Sequence, residues 1–382
     1  MKRLFGILLL CLLLSWMLSL GVAAESEEET LPLAVRDGYE TMLDALPDEL
    51  RDALPEGLRS DRTDEIAGAV SELLDVSFFL RALLEAVGFY AGDILRFLAT
   101  VVGILLLSSV FVSFSRAVHP KGTPRMTVIV TSGAILVSVA EIQVRLFAQL
   151  EEYFGSLSSL AAGMIPVSGA LYAMGGNLSG AQTGGTVMSV FLAVSEFVGG
   201  RALFPTVGAC IALAAVPIFA PDLNVRSLSA CIKRCFTFGL GFLMMLLSAL
   251  LVMRSGLSQK ADSVSARTVK YIASSVIPVV GGSIADSLRT VGASVEYLRT
   301  TVGIAGILLI ALLLLPVLVN VLLTRFALIL ASSVAELLSC NAESRLLSEL
   351  HGVYGYILAV SVMCAVMFIL ALTLLVKTAA AV

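Results

Sequence analysis

Two pairs of opposite charge sit three residues apart in one stretch of the chain, Asp286 with Arg289 and Glu296 with Arg299. That spacing stacks each pair on one face of a helix. With Ser287, Thr290 and Ser294 they form a polar ridge over Ser283–Thr301. Such a ridge could line an aqueous path, grip a partner, or lie flat at a membrane surface. A third pair, Glu196 and Arg201, brackets Gly199-Gly200, where a helix is expected to break. Glu141 and Arg145 are four residues apart on one expected helix face, placed to hold neighbouring protein or to serve transport.

Beside these charges lie helix-breaking residues in strongly apolar surroundings. One run reads Ile277-Pro278-Val279-Val280-Gly281-Gly282; an earlier one reads Ile165-Pro166-Val167-Ser168-Gly169, followed by Gly175-Gly176. Irregular backbone at bilayer depth survives only where protein or a water-filled cavity covers it. Pro166, Gly175, Gly176, Pro278, Gly281 and Gly282 are therefore expected to mark broken or re-entrant segments. With Glu196, Arg201, Asp286, Arg289, Glu296 and Arg299 they form the candidate channel or packing set.

Other chemistry is missing from the sequence. There is no G-x-x-x-x-G-K-[ST] phosphate loop and no HExxH, and the two histidines, His119 and His351, lie far apart. Cys231 and Cys235 are one helical turn apart, which suits neither a CxxC redox pair nor a common zinc site. No enzyme activity, cofactor, metal or nucleic-acid partner is expected.

The elements that must position these residues are membrane helices. Hydrophobic residues make up 58% of the 382 and charged ones 14%, against about 45–50% and about 25% in soluble domains. Mean hydropathy is +0.96, and several runs exceed the roughly 20 apolar residues that cross a bilayer. The expected fold is all-α, a polytopic transmembrane protein of roughly six to eight spans with a lipid bilayer as its solvent.

Residues 1–24 read as a signal sequence: Lys2 and Arg3, the apolar Leu4–Leu20, then Val22-Ala23-Ala24. An uncleaved anchor is the other reading. Either places residues 25–92 outside the cytoplasm. That acidic segment repeats a pattern at Pro47 and Pro55, each able to start a helical turn. From Asp64 the apolar spacing of Ile66, Val70, Leu73, Leu74, Phe78, Leu80, Leu83 and Leu84 predicts an amphipathic helix. It could rest on the membrane, on a partner, or as a lid on the chain's own membrane part.

Residues 93–150 are expected to form a first hairpin, with spans at 94–114 and 126–148. The loop between them carries Arg116, His119, Lys121 and Arg125 and belongs in the cytoplasm. Residues 151–270 and 271–382 read as two halves in the same order: broken segment, two apolar stretches, polar connector, span. The second connector holds Glu343, Arg345, Glu349 and His351, and Arg325 is expected to reach toward headgroups. Basic residues on both sides of the 235–253 span leave sidedness open; the favoured solution makes the halves an inverted repeat, a transporter signature. Chance echoes between Leu/Ala/Val-rich stretches are the alternative.

Taken together, the signal sequence, the acidic segment, the Ile277–Gly282 run with Asp286 and Thr290-Val291, and Ile165-Pro166 with Ala173-Met174-Gly175-Gly176 resemble the stage III sporulation protein AE family. The resemblance covers about residues 25–380 and is strongest over about 160–350. It implies a permease-like core subunit of a secretion or channel complex in the mother-cell membrane surrounding the forespore. The implied partners are other stage III A proteins, among them a cytoplasmic ATPase and ring-forming subunits, and a forespore ring protein. It implies no catalytic residues. Two other functions compete with it: an autonomous secondary transporter of a small solute, and a membrane scaffold that recruits ring proteins.

Overall fold

The computed structural model describes residues 31–118, 125–174, 192–220, 227–246 and 281–377, with a few isolated positions between them. The signal sequence, Gly175, Gly176 and Pro278 lie outside the described residues. All described regular structure is helical, and six of the helices are long and apolar enough to cross a membrane.

The acidic segment folds into short helices: α1 (Leu33–Asp44), α2 (Asp48–Ala53), a 3-10 turn (Glu56–Arg59) and α3 (Thr63–Leu73). Pro47 and Pro55 sit directly before α2 and the 3-10 turn, as their missing N–H allows. Ile66, Val70 and Leu73 of α3 are buried, as are Val35, Tyr39 and Met42 of α1. The charged face points outward, with Arg36 bridging Glu40 at 3.0 Å and Asp61 at 2.7 Å. The segment is thus a cap on the chain's own helices.

The expected amphipathic helix divides at Asp75. Its side chain accepts the Ser77 N–H at 3.1 Å and starts a new helix. That hydrogen bond holds the Asp75 carboxyl below its ordinary value. Leu80 and Leu84, on the new helix, are exposed.

Four long helices form the body: α4 (Val76–Val118), α5 (Arg125–Met174), α8 (Gly281–Leu337) and α9 (Asn341–Lys377). Between α5 and α8 come α6 (Phe204–Phe219), entered through a π-helical turn at Phe197–Leu203, and α7 (Ser227–Leu246). Neither α4 nor α5 respects the boundaries expected at residues 92 and 150. The 50 residues of α5 rise about 75 Å, well beyond the roughly 40–45 Å of a bilayer with its headgroups.

The helices pack in antiparallel pairs. Between α4 and α5, Ser108 lies 3.3 Å from Thr131, Asp93 lies 2.8 Å from Arg145, and Tyr90 lies 2.8 Å from Gln149. Between α8 and α9, Ser332 meets Ser344 at 3.3 Å and Arg325 meets His351 at 3.1 Å. Asn320 of α8 donates to Gln149 of α5 at 2.6 Å, and the Arg299 guanidinium lies 4.2 Å above the Tyr172 ring. Hence α8 runs antiparallel to α5.

So does α6 with the π turn that leads into it. Gly199 sits against Phe154, while Phe204 packs on Phe147 with ring centroids 4.9 Å apart. In turn α7 runs parallel to α9, with Lys233 beside Gly352 and Phe236 against Tyr356. The α6–α7 and α8–α9 hairpins therefore point the same way. This corrects the inverted-repeat expectation: as far as the described residues reach, the two halves are parallel.

Exposed apolar side chains run from Leu95 to Phe114 on α4 and from Met126 to Val144 on α5, stretches that the register sets side by side. About twenty residues of helix rise about 30 Å, the thickness of the hydrocarbon layer. Phe326, Ile329, Leu330 and Leu337 of α8 are exposed over the matching part of that helix. Leu80, Leu84 and Phe89 continue an apolar surface beyond it on α4. The residues of α8 from Val302 to Val321, in contrast, are mostly buried inside the protein.

Candidate functional site

The Pro and Gly residues take roles different from those expected. Pro166 lies inside α5, which continues through it to Met174. A proline removes one N–H from the helical ladder and crowds the preceding turn, so a break was the natural expectation. Tertiary packing overrides it. Helix α1 crosses α5 at this point, with Gly38 set against Gly163. A Cβ on Gly38 would lie 2.8 Å from the Gly163 carbonyl oxygen, 2.6 Å from Val167 and 3.2 Å from the Pro166 ring. The motif is a notch that seats the cap.

Gly281 and Gly282 open α8 and belong to its helix. Asp286 and Arg289 follow on the same helix; their side chains lie outside what the structure describes. The second pair separates by environment: Glu296 is exposed, whereas Arg299 is buried beneath Tyr172. In the earlier half the helix does not break at Gly199-Gly200 but runs on through a π-helical turn, with Glu196 just before it and Arg201 inside it, both exposed. The close approach of Phe154 accounts for the glycine. A Cβ on Gly199 would fall 2.5 Å from the Phe154 ring. The candidate residues that are described do not gather at one place. Pro166 and Arg299 flank the α5 segment that carries the cap, and Glu196 and Arg201 lie at the π turn.

The polar residues that do gather are at the α8–α9 turn. Glu343 stands in the first turn of α9 and is only 1% exposed. Its Oε1 accepts the Thr131 hydroxyl of α5 at 2.7 Å and the Ser108 hydroxyl of α4 at 3.0 Å. Beside it Ser344 donates to Glu336 of α8 at 3.0 Å, and Ser109 donates to the Leu338 carbonyl at 3.4 Å. Four helices thus meet through hydroxyls and carboxylates. The N-terminal end of α9 adds its partial positive charge to this environment.

Further along the bundle come Arg325 with His351, then the chain Asn320–Gln149–Tyr90. His351 Nε2 faces the guanidinium and its Nδ1 lies 3.3 Å from the Arg325 carbonyl. A guanidinium only donates, so this geometry fits the neutral tautomer protonated at Nδ1. Arg325 therefore packs on α9 across Gly355, which corrects the expectation that it reaches toward headgroups. The expected connector at Glu343–His351 is likewise the opening of α9, since Asn341 already begins the helix.

These residues were hard to find from sequence. Ser108 and Thr131 look like ordinary hydroxyls in apolar spans, where they satisfy their own helix. Only the α4–α5 register puts them opposite each other, and only the chain reversal at Leu338–Cys340 brings Glu343, more than 200 positions away, between them.

A family model described as stage III sporulation protein AE matches residues 64–379. The stage III sporulation protein AE of Bacillus subtilis (strain 168) is 24% identical over 226 residues, which is 59% of this chain and 56% of that protein. The chain thus aligns with little more than half the length of that curated relative. No solved structure matches.

Proposed function

The chain belongs to the stage III sporulation protein AE family, and from that premise we propose that it is the permease-like core subunit of a multi-protein channel or secretion complex in the mother-cell membrane around the forespore. The observation that carries this reading is the buried Glu343 junction. An ionisable side chain held by hydroxyls inside membrane-grade helices is costly to keep and is a mark of pathways and coupling elements. The polar line from Glu343 through Arg325 and His351 to Gln149 and Asn320 supports it, because plain anchors need none of these groups. The chain carries no phosphate-binding loop, which fits energy drawn from a partner ATPase. Other stage III A proteins and a forespore ring protein are the proposed partners.

A test replaces the hydroxyls while keeping side-chain shape, in cells whose own copy of the gene is deleted. Ser108→Ala with Thr131→Val should abolish spore formation while the protein stays at its normal level in the membrane. Normal sporulation from that variant would count against the permease-like reading. The autonomous-transporter alternative loses the inverted repeat that motivated it. The scaffold alternative keeps only the outward, ion-paired face of the cap, because its apolar face is occupied by α5 and α8. Deleting the cap would strip that buried surface, so point changes on the outer face test recruitment more cleanly.

A further inference from the structure

We infer that α7 is a self-association helix: two copies of this chain pair, parallel and side by side, through the outer face of α7. The pairing does not depend on the reading of the Glu343 junction.

Leu228, Cys231, Cys235, Phe238, Phe242 and Met245 follow one another at alternating intervals of three and four residues along the whole of α7. This is the a and d spacing of a coiled-coil seam. All six side chains are exposed, Phe238 to 74% and Met245 to 71%. The rest of the helix leans on α9, where Lys233 lies beside Gly352, Phe236 packs on Tyr356 and Gly241 lies beside Met363.

Lipid covers only the first part of this seam. The Thr131–Glu343 and Tyr153–Ser361 contacts set α9 level with α5, and the three contacts above set α7 level with α9. On that register Arg234 stands at the height of Glu141 and Arg145 of α5 and of Arg96 of α4. All four are exposed charges, and they mark where the hydrocarbon layer ends. Phe238, Phe242 and Met245 lie past that mark, at the height of the exposed Glu151 and Glu152. Large apolar side chains in a continuous row outside the hydrocarbon layer call for a protein cover.

A second copy fits. Copies in one membrane share one orientation, so a two-fold axis along the membrane normal sets each seam residue against itself. The seam itself holds no charge, so it offers nothing to an acidic or basic partner segment. Arg234 flanks it and faces the second copy's Gly239, a position with open space around it. The exposed surface of the six residues and Leu246 is roughly 600–700 Å² per copy, so a pair removes about 1,200–1,400 Å² from its surroundings, within the range of a stable interface.

The experiment uses the thiols that the seam already carries. Cys231 and Cys235 are free and exposed, whereas Cys210, Cys340 and Cys364 are buried. Membranes of cells making the full chain are treated with a short bismaleimide, and the mass of the chain is read on a denaturing gel. The expected result is a covalent dimer that survives in Cys231→Ser, in Cys235→Ser or in both, and is lost in the double variant. Ala230→Cys, an exposed position off the seam, placed in that double variant should link about tenfold less than the seam thiols, and Phe238→Arg should weaken linking by a similar factor. Equal linking from Ala230→Cys would mean random collision and would overturn the proposal, as would linking unchanged by Phe238→Arg. If Phe238→Arg does not reach the membrane, the Ala230→Cys comparison decides. Seam thiols that take a monofunctional maleimide without forming a dimer overturn the pairing. So do seam thiols shielded from both reagents, which would mean that the chain itself or lipid covers the seam, and thiols that link only to a different protein.

Discussion

Ser339 holds a φ of 56°, in the left-handed region that L residues other than glycine and asparagine seldom occupy. It does so because α8 ends there: the Cys340 N–H reaches back to the Ala335 carbonyl at 2.9 Å, and the Ser339 N–H to Glu336 at 3.0 Å. These are the closing bonds of a helix whose usual terminal residue is glycine. The reversal sets the height of Glu343 against Ser108 and Thr131, so a serine is tolerated in a strained position at the point where position matters. Ser339→Gly should stabilise the folded chain by about 0.5–1 kcal/mol, the left-handed penalty less the added freedom of the unfolded glycine. Thermal unfolding in detergent, followed by helical circular dichroism, checks the sign. At this scale sequence reading did well on spacing and poorly on environment. Glu296 and Arg299 do share one helix, yet one side chain is exposed and the other is under Tyr172. That difference comes from α5, which the local sequence does not contain.

Helix α5 is the element on which the two kinds of structure meet. Its first half lies in the exposed apolar band; its second half, past Glu151 and Glu152, carries the cap and the Arg299 contact. Two glycines in van der Waals contact allow α1 to approach α5 by backbone, which maximises packing per residue in the absence of side chains. Gly163→Val should cost about 1–3 kcal/mol, because the added atoms meet the Gly38 carbonyl and Met42 with no room to shift. The expected consequence is release of the cap, read as faster proteolytic cleavage between Ala45 and Arg62 with the long helices still intact. Cleavage at the wild-type rate would show that the cap is held elsewhere. Sequence periodicity did identify α3 as amphipathic and placed helix starts after Pro47 and Pro55. It could not tell a membrane surface from the protein's own flank, since both present an apolar plane to the same stripe.

For the molecule as a whole, the parallel hairpins make a prediction about sides. The end of α6, the start of α7 and the α8–α9 turn lie toward the end of the bundle where α4 ends and α5 begins, and the cap lies toward the other end. With the native cysteines replaced, Ser227→Cys and Asn341→Cys should react with a membrane-impermeant thiol reagent from the same side of sealed vesicles. Glu296→Cys should react from the opposite side. The positive charge expected to keep the basic loop at Arg116–Arg125 inside would make the first side the cytoplasmic one. Labelling of Ser227→Cys and Asn341→Cys from different sides would restore the inverted arrangement.

Composition alone was enough to determine that this chain is a helical membrane protein, because 58% hydrophobic residues in runs of this length have no soluble solution. The motif order was enough to point to its family. The tertiary structure decided which apolar helix meets lipid and which meets protein. By sequence, the run around Val302–Val321 is as good a span as any, yet it is buried among α1, α5 and α9, while the less apolar α4 and α5 bear the exposed band. Hydropathy measures only dislike of water, and lipid and a protein interior satisfy it equally. The choice between them, like the meeting of Glu343 with Ser108 and Thr131, depends on contacts between residues hundreds of positions apart.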